Sequence, residues 1–503
     1  SLCLLKERSS VAHDEDANYE VRMDEDGFVL DLGGGEDAGA SISNEAIERP
    51  VTDGDLAELA RVEAELLARW PETKIDPSLE RIELLMDLLG HPEQTYKVIH
   101  VAGTNGKTST VRMIESLLRA FGARVGRTTS PHLQSITERV GIDGEPIHPA
   151  DFVRIYREIK PFVEMVDAQS DHPMSYFEVT VAIALAAFAD APVDIAVVEV
   201  GMGGRWDATN VVRADVDVIT PVGLDHTDYL GDTLAEIAGE KAGIITNPES
   251  ITVVANQDPE AMRVVLERTV ELGTAVARLD QEFGVESAAV AVGGQTVTLR
   301  GLSGTFEEIF LPLSGPHQAR NAAVALAAVE AFFGAGSGRQ LDAEIVRAGF
   351  ANAISPGRLE RVRSTPTTFI DATHNPHGAQ ALAAALANDF DFARLIGVLG
   401  ILGDKDALGV LQALEPVLSE VVITQNSSPR ATDAYELAEI ARDVFGEERV
   451  HVEEHLPSAY TLAVELAEEA LEAVGVQSGS GVIITGSVVT AGEARAMFGK
   501  DPE

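Results

Sequence analysis

Short apolar runs without polar alternation constrain this chain more than any other feature. "DIAVVEV" and "VDVIT" are too short for globular helices and place apolar side chains at consecutive positions, so both faces of each strand must be covered. Helical stretches and glycine-rich loops separate them, which implies parallel strands joined by crossover helices, an α/β class of fold. At 503 residues the chain exceeds what one core serves, and a length prior suggests roughly two to four domains.

Residues 1–50 are acidic ("DEDANYE", "DEDG", "DLGGGEDAGAS") and lack sustained apolar periodicity, so a disordered extension is expected there. From "DLAELARVEAELLARW" the pattern is helical, with Leu56, Leu59, Val62, Leu66 and Leu67 on one face. A larger unit, 51–355, follows with "YKVIHVA" and "ARVGRTT" as strands around the helical "TSTVRMIESLLRAFG". Between 275 and 312, "VARLDQEF", "AAVAV", "QTVTLRG" and "EIFLPL" read as a small antiparallel appendage. A linker over 356–361, around Pro356 and Gly357, precedes a second, smaller unit, 362–503. There the strands "TTFID", "ARLIGVLG", "EVVIT", "RVHVEE" and "GVIITG" alternate with helices in a Rossmann-like order.

The first chemical signal is "HVAGTNGKTST", a glycine loop between a strand and a helix start, where unpaired N–H groups and the helix dipole favour phosphate. The general GxxxxGK[ST] pattern begins with glycine where this chain has Val101, and its own upstream glycine is Gly103. In such a loop Lys107 reaches β- and γ-phosphates, and a hydroxyl of Thr108 or Ser109 faces Mg²⁺. A bound nucleotide calls for a metal with hard oxygen ligands. Glu199, the one charged residue in "IAVVEVG", closes a buried strand at the end where α/β sheets place ligands. His226 in "GLDHTDYLG" follows another strand, where a lone histidine serves structure as readily as a metal. Lys241, in the largely apolar "AEIAGEKAGI", reads on its own as a snorkelling surface residue. In "FIDATHNPHG", Asp371 ends a strand, and His374 and Asn375 precede Pro376 at a helix start, a ligand-facing junction or a simple cap. Arg358 in "PGRLE" sits at the expected hinge.

Taken together, "HVAGTNGKTS", "TTSPHL" with "ERV", "YFEV", "EVGMGGRWDATN", "DHTDYLG", "GEKAGI", "GPHQARNA", "PGRLE" and "DATHNPHG" resemble the folylpolyglutamate synthase and dihydrofolate synthase family of the Mur ligase superfamily. The resemblance runs from about residue 55 to the C-terminus and includes the displaced glycine of the loop. It implies an ATP-dependent amide ligase with a P-loop domain, a Rossmann-like C-terminal domain and an active site between them. Its substrates would be a folate or dihydropteroate and L-glutamate, joined through an acyl phosphate. By this resemblance Gly103, Thr104, Asn105, Gly106, Lys107, Thr108 and Ser109 hold the triphosphate, and Ser130, Glu199 and His226 hold Mg²⁺. Lys241 matches a lysine that the family carbamylates, and Asn321, Arg358 and Asp371 match ATP-contacting positions. Arg205, Trp206, Asp207 and Ala208 match part of the pteroate pocket, with Asp207 as the pterin contact and Ser175 and Phe177 nearby. His374 and Asn375 would place the acyl phosphate and the incoming glutamate.

Two departures from the family pattern stand out. Many members have Gly after the loop lysine, whereas here Thr108 precedes Ser109, so the general P-loop register favours Thr108 as metal ligand and the family register favours Ser109. Thr373 stands where alanine is usual. A peptidoglycan-type Mur ligase is the near rival, and "SPHL" and "DATHNPHG" argue for folate instead. A guanine-nucleotide switch would need a base-reading NKxD segment, and the nearest stretch, "GDKD" at 403–406, lacks the asparagine and lies in the second unit.

The net charge of −43 argues against general nucleic-acid binding, since phosphate contacts need a basic face. It also means that an anionic ligand requires a pocket that gathers cations against the field of the whole molecule. No apolar stretch reaches the ~20 residues of a membrane span, and no secretory leader pattern is read at the N-terminus. Cys3, the single cysteine, excludes an intrachain disulfide and a cysteine-based metal site. A cytoplasmic monomer is expected.

Overall fold

The computed structural model describes residues 49–71, 77–336, 338–474 and 479–503, with the backbone of two further strands, β1 (Val21–Asp24) and β2 (Gly27–Leu30). These two pair as an antiparallel hairpin within the stretch expected to be disordered. The rest of that stretch up to residue 48, with Cys3, lies outside the described residues.

The larger unit is built on β3 (Lys97–Ala102), β4 (Val125–Thr128), β5 (Val140–Ile142), β6 (Glu145–Pro146), β7 (Ile195–Glu199), β8 (Val216–Ile219), β9 (Ile251–Val254) and β10 (Ala275–Arg278). They form one sheet in the order β10-β9-β8-β3-β7-β4-β5-β6, parallel from β10 to β4 and antiparallel beyond it. The apolar run in β7 divides as its period of two requires. Ile195 and Val197 join the core under the helices Lys107–Ala120 and Pro316–Phe332, while Ala196 and Val198 join the core on the opposite face.

Part of the expected appendage belongs to this sheet. "AVAR" forms β10, paired in parallel with β9, so the antiparallel sheet is only β11 (Gly284–Ala291), β12 (Gly294–Arg300) and β13 (Thr305–Leu311). Only Ala277 of this edge strand is buried, and so short a run is not separated from a hairpin strand by local alternation. In the helix Asp53–Leu67, Leu59, Val62 and Leu66 are buried as expected, but Leu56 and Leu67 are exposed. The buried stripe is the narrow i, i+3, i+7 one.

The second sheet contains β14 (Glu360–Ser364), β15 (Thr367–Ile370), β16 (Arg394–Leu399), β17 (Glu420–Gln425), β18 (Val450–His455) and β19 (Ser480–Thr485), in the order β14-β15-β19-β16-β17-β18. It is parallel except for the edge strand β14, which begins at Glu360, inside the segment expected as linker. Both faces are covered: Ile483 enters one core, and Val482 and Ile484 enter the other.

Between β4 and the phosphate-loop helix lies an ion pair sealed from water. Arg127 donates from Nε to Glu115 Oε2 at 2.7 Å, with side-chain exposures of 0% and 5%. Glu115 also accepts from the Gly144 N–H at 3.0 Å, and Arg127 from Nη1 reaches Thr129. The pair fixes the direction in which the chain leaves β4. Glu115→Ala is expected to destabilise the fold by ~3–5 kcal/mol because it leaves a buried guanidinium unpaired. The double variant Glu115→Ala/Arg127→Met should recover most of that loss in urea unfolding.

Candidate active site

The strand order assembles the site. The C-terminal ends of β4, β7, β3 and β8 are consecutive neighbours, with Thr128 opposite Val198, Val101 opposite Glu199 and Ala102 opposite Ile219. The segments that leave those ends carry Ser130, Glu199, the loop 103–109 and His226, so motifs far apart in sequence meet at one sheet edge.

The displaced glycine has a steric cause. Gly103 has φ +147°, and a Cβ there would lie 1.9 Å from Thr220 Oγ1, because the loop passes directly over the end of β8. Gly106 has φ +84°, and a Cβ there would lie 2.8 Å from Asn321 Oδ1. Val101, where the general pattern has glycine, is instead a fully buried β3 residue. Asn321 therefore packs against the loop from the helix Pro316–Phe332, held by a 3.1 Å bond from its Nδ2 to Gln318.

The two hydroxyl candidates separate in space. Thr108 donates from Oγ1 to Glu199 Oε1 at 3.0 Å, whereas Ser109 turns away to Ser355 at 3.0 Å and Gln318 at 3.2 Å. Glu199 is 3% exposed and its second oxygen, Oε2, has no hydrogen-bond partner. Burial raises its pKa, while Lys107, the Thr108 hydroxyl, Arg358 and Arg127 oppose the rise. A buried carboxylate with a free oxygen beside a hydroxyl, at a phosphate loop, suits Mg²⁺, which keeps several waters and takes few protein ligands. Among the described residues no three His, Cys, Asp or Glu side chains cluster as a ready-made metal cage.

Lys241 departs from the surface residue that its neighbours in sequence suggest. It is 4% exposed and donates from Nζ to the Gly103 carbonyl at 2.8 Å. Lys107 donates to the same carbonyl at 3.1 Å and to Thr104 O at 3.2 Å. Burial and then the charge of Lys107 bring the Lys241 amine down to about 7.

The second unit closes over this loop. Asn375 caps the helix Pro376–Asp389, accepting from Gly378 N at 2.8 Å, and its Nδ2 reaches Asn105 Oδ1 at 3.2 Å. Asn105 in turn lies 2.7 Å from His377 Nδ1. His374 holds the Ala372 carbonyl through Nδ1 at 3.0 Å, and burial lowers its pKa. Asp371 is 6% exposed, and its carboxylate accepts from the N–H groups of Leu359 and Thr373, both at 2.8 Å. Its oxygens thus shape the turn that carries Arg358, whose charge acts on Glu199 and His374.

The expected pteroate segment forms a loop beside Glu199. Phe177 lies against Gly201, where a Cβ would meet its ring at 2.4 Å, and Ser175 caps the helix Tyr176–Asp190 in a capping box with Glu178. Asp207, expected as the pterin contact, is 3% exposed and accepts from Met202 N at 2.8 Å, Thr209 N at 3.0 Å and Thr209 Oγ1 at 2.6 Å. Arg205 is exposed beside Glu240, Trp206 is half-buried, and Ala208 is buried in the loop. Ser130 is half-buried after β4, and His226 sits on the outer rim with a positive φ of 52°.

Sequence reasoning missed Asp225 and Lys405. Asp225 is masked by its neighbour His226, and "GDKD" was weighed only as a base reader, yet the Lys405 ammonium lies 2.9 Å from the Asp225 carboxylate. The available signal was position alone, since both follow the C-terminal ends of parallel strands.

The Mur ligase middle domain matches residues 101–329, and the Mur ligase glutamate ligase domain matches 357–488. The chain is 56% identical over 468 residues to the dihydrofolate synthase/folylpolyglutamate synthase of Mycobacterium tuberculosis, covering 90% of this chain and 96% of that one. It is 36% identical over 365 residues to the Escherichia coli protein of the same name, covering 73% and 81%. Among solved structures, M. tuberculosis folylpolyglutamate synthase complexed with ADP superposes with a TM-score of 0.86, covering 89% of this chain and all of that one. E. coli FolC in complex with DHPP and ADP superposes with a TM-score of 0.75 at 32% identity, covering 90% and 99%. The chain belongs to the dihydrofolate synthase/folylpolyglutamate synthase family of Mur ligases.

Proposed function

We propose that this protein uses ATP to add L-glutamate to folates, and that the same site makes dihydrofolate from dihydropteroate. The observation that carries the reading is the Asn105–Asn375 contact, which brings the phosphate loop and the helix start of the second domain within hydrogen-bond distance. A phosphoryl donor and an amine acceptor then share one cleft, as a two-step ligation requires. The γ-phosphoryl group passes from ATP to the substrate carboxylate and ADP leaves. The glutamate amine attacks the acyl carbon, the tetrahedral intermediate expels phosphate, and the nitrogen loses a proton to give the amide.

The loop from Gly103 to Thr108 surrounds the triphosphate and offers it the N–H groups of the helix start, and Lys107 offers a cation to it. Thr108 and Glu199 would hold Mg²⁺, with Ser130 and His226 at the same sheet edge, and Ser109 supports the loop from behind. The metal would neutralise phosphate charge and orient the transferring group. Asn321, Arg358 and Asp371 frame the nucleotide, while His374 and Asn375 face the acyl phosphate and the amine. Ser175, Phe177 and Arg205 to Ala208 bound the pteridine end, with Asp207 shaping the loop.

Incubation with ATP, Mg²⁺ and glutamate should give ADP and a glutamylated product from dihydropteroate or from tetrahydrofolate. Absence of product from both, by mass spectrometry, would sink the reading. Glu199→Ala should lower turnover by ~10²-fold or more, the scale of one lost transition-state contact. Its urea midpoint should stay near that of the parent, and near-normal turnover would remove Glu199 from the metal site.

Carbamylation of Lys241 fits its surroundings, because an amine brought down to about 7 is largely neutral, and able to attack CO₂, above that pH. The ¹³C-carbamate signal from labelled bicarbonate should therefore grow between pH 6 and 8, as the amine passes from mostly protonated to mostly neutral through this value. Lys241→Ala should lose the signal, and short carboxylates should partly restore its turnover. No signal at any pH would exclude the modification.

A further inference from the structure

We propose that Asp225 is a positioning residue whose ion pair with Lys405 holds the second domain docked over the phosphate loop, the arrangement in which His374 and Asn375 face the reacting groups. The proposal rests on the ligase reading above for the reaction that it serves.

The two residues come from different domains. Asp225 lies on the loop after β8, and Lys405 lies on the loop after β16. Their side chains are each 10% exposed, and Lys405 Nζ stands 2.9 Å from Asp225 Oδ1. The other oxygen of the same carboxylate accepts from Asn375 Nδ2 at 3.2 Å and lies 3.8 Å from His374 Nε2. His226 Nε2 lies 3.9 Å from Oδ1, and the His226 N–H donates to it at 2.9 Å. One carboxylate therefore meets every polar side chain of the second domain that the ligation reading places at the acyl centre.

The role follows from where the charges go when the domains part. Within either domain alone, Asp225 and Lys405 would face water and be hydrated, so the pair adds little to the folding of each unit. Docking strips water from both, and the cost is offset only while the opposite charge is opposite and the remaining oxygen is hydrogen-bonded. A pair so balanced leaves docking reversible, as substrate entry and product release require. It also sets the register of docking, because a small slip would separate the ammonium from the carboxylate while leaving apolar contacts nearly unchanged. Lys405 is held in place for this by its own loop, through Lys405 N to Leu402 O and Ala407 N to Lys405 O. The Asn105 bridges to Asn375 and His377 are neutral, so at the phosphate loop the charged tie is the one that breaks when a single charge is removed.

The test compares the full-length chain with Asp225→Asn, Lys405→Met and the double variant. Each single change should lower kcat by roughly 10- to 100-fold, the scale of a displaced reacting group. The double variant should be no worse than the poorer single one, because both changes remove the same interaction. ATP affinity and the urea midpoint should stay near the parent values, and small-angle scattering with ATP bound should show a larger radius of gyration for all three variants. Losses that multiply in the double variant would overturn the proposal, as would a loss confined to Lys405→Met, which would make that lysine a direct substrate ligand. A urea midpoint that falls in step with turnover would make the pair merely structural, and scattering curves unchanged by the substitutions would remove its docking role. If the unaltered protein makes no product, the ligase reading fails while the scattering comparison still decides the docking role.

Discussion

Two ammonium groups share one carbonyl oxygen at the centre of this protein. Lys107 and Lys241 both donate to Gly103 O, in a chain whose net charge is −43. Like charges this close repel, and burial first, then the charge of Lys107, makes Lys241 release its proton more readily. A triphosphate above the loop would offset that repulsion.

That centre depends on backbone crowding. The loop can bring its carbonyl under two lysines only by passing within contact distance of Thr220, where no side chain fits at Gly103. A Thr220 Oγ1 bond to Ala102 O at 3.2 Å and the Thr104 N–H bond to Pro221 O at 2.9 Å tie the two strand ends together. Adjacent parallel strands thus supply the close approach, and the sheet order places Glu199 on the next strand over.

Much of this was legible in the residues. The apolar runs predicted a sheet covered on both faces, and the glycine-lysine loop between strand and helix predicted its phosphate edge. The Rossmann-like order of the second unit was also visible, apart from the edge strand β14, whose "ERVRS" has no apolar pattern because one side of it faces solvent. Burial of single polar residues was not legible. Lys241 looked like a surface residue because its helix is short and mixed, and only the approach of the loop from β3 encloses it. Nor were the partners of Asp207, since Met202 and Thr209 bind it through a turn that sequence does not show.

The choice between Thr108 and Ser109 shows why registers borrowed from patterns reach a limit. A helix turns by about 100° per residue, so two adjacent hydroxyls at its start point in different directions. Which one faces the site depends on where the neighbouring strand presents its carboxylate. Here Glu199 ends β7 on the side that Thr108 faces, and the opposite side is filled by Gln318 and Ser355 from segments more than two hundred residues away in sequence. The local pattern and the resemblance disagreed because each encodes only the loop. The packing around the loop turns Thr108 towards Glu199 and makes Ser109 the support beneath it.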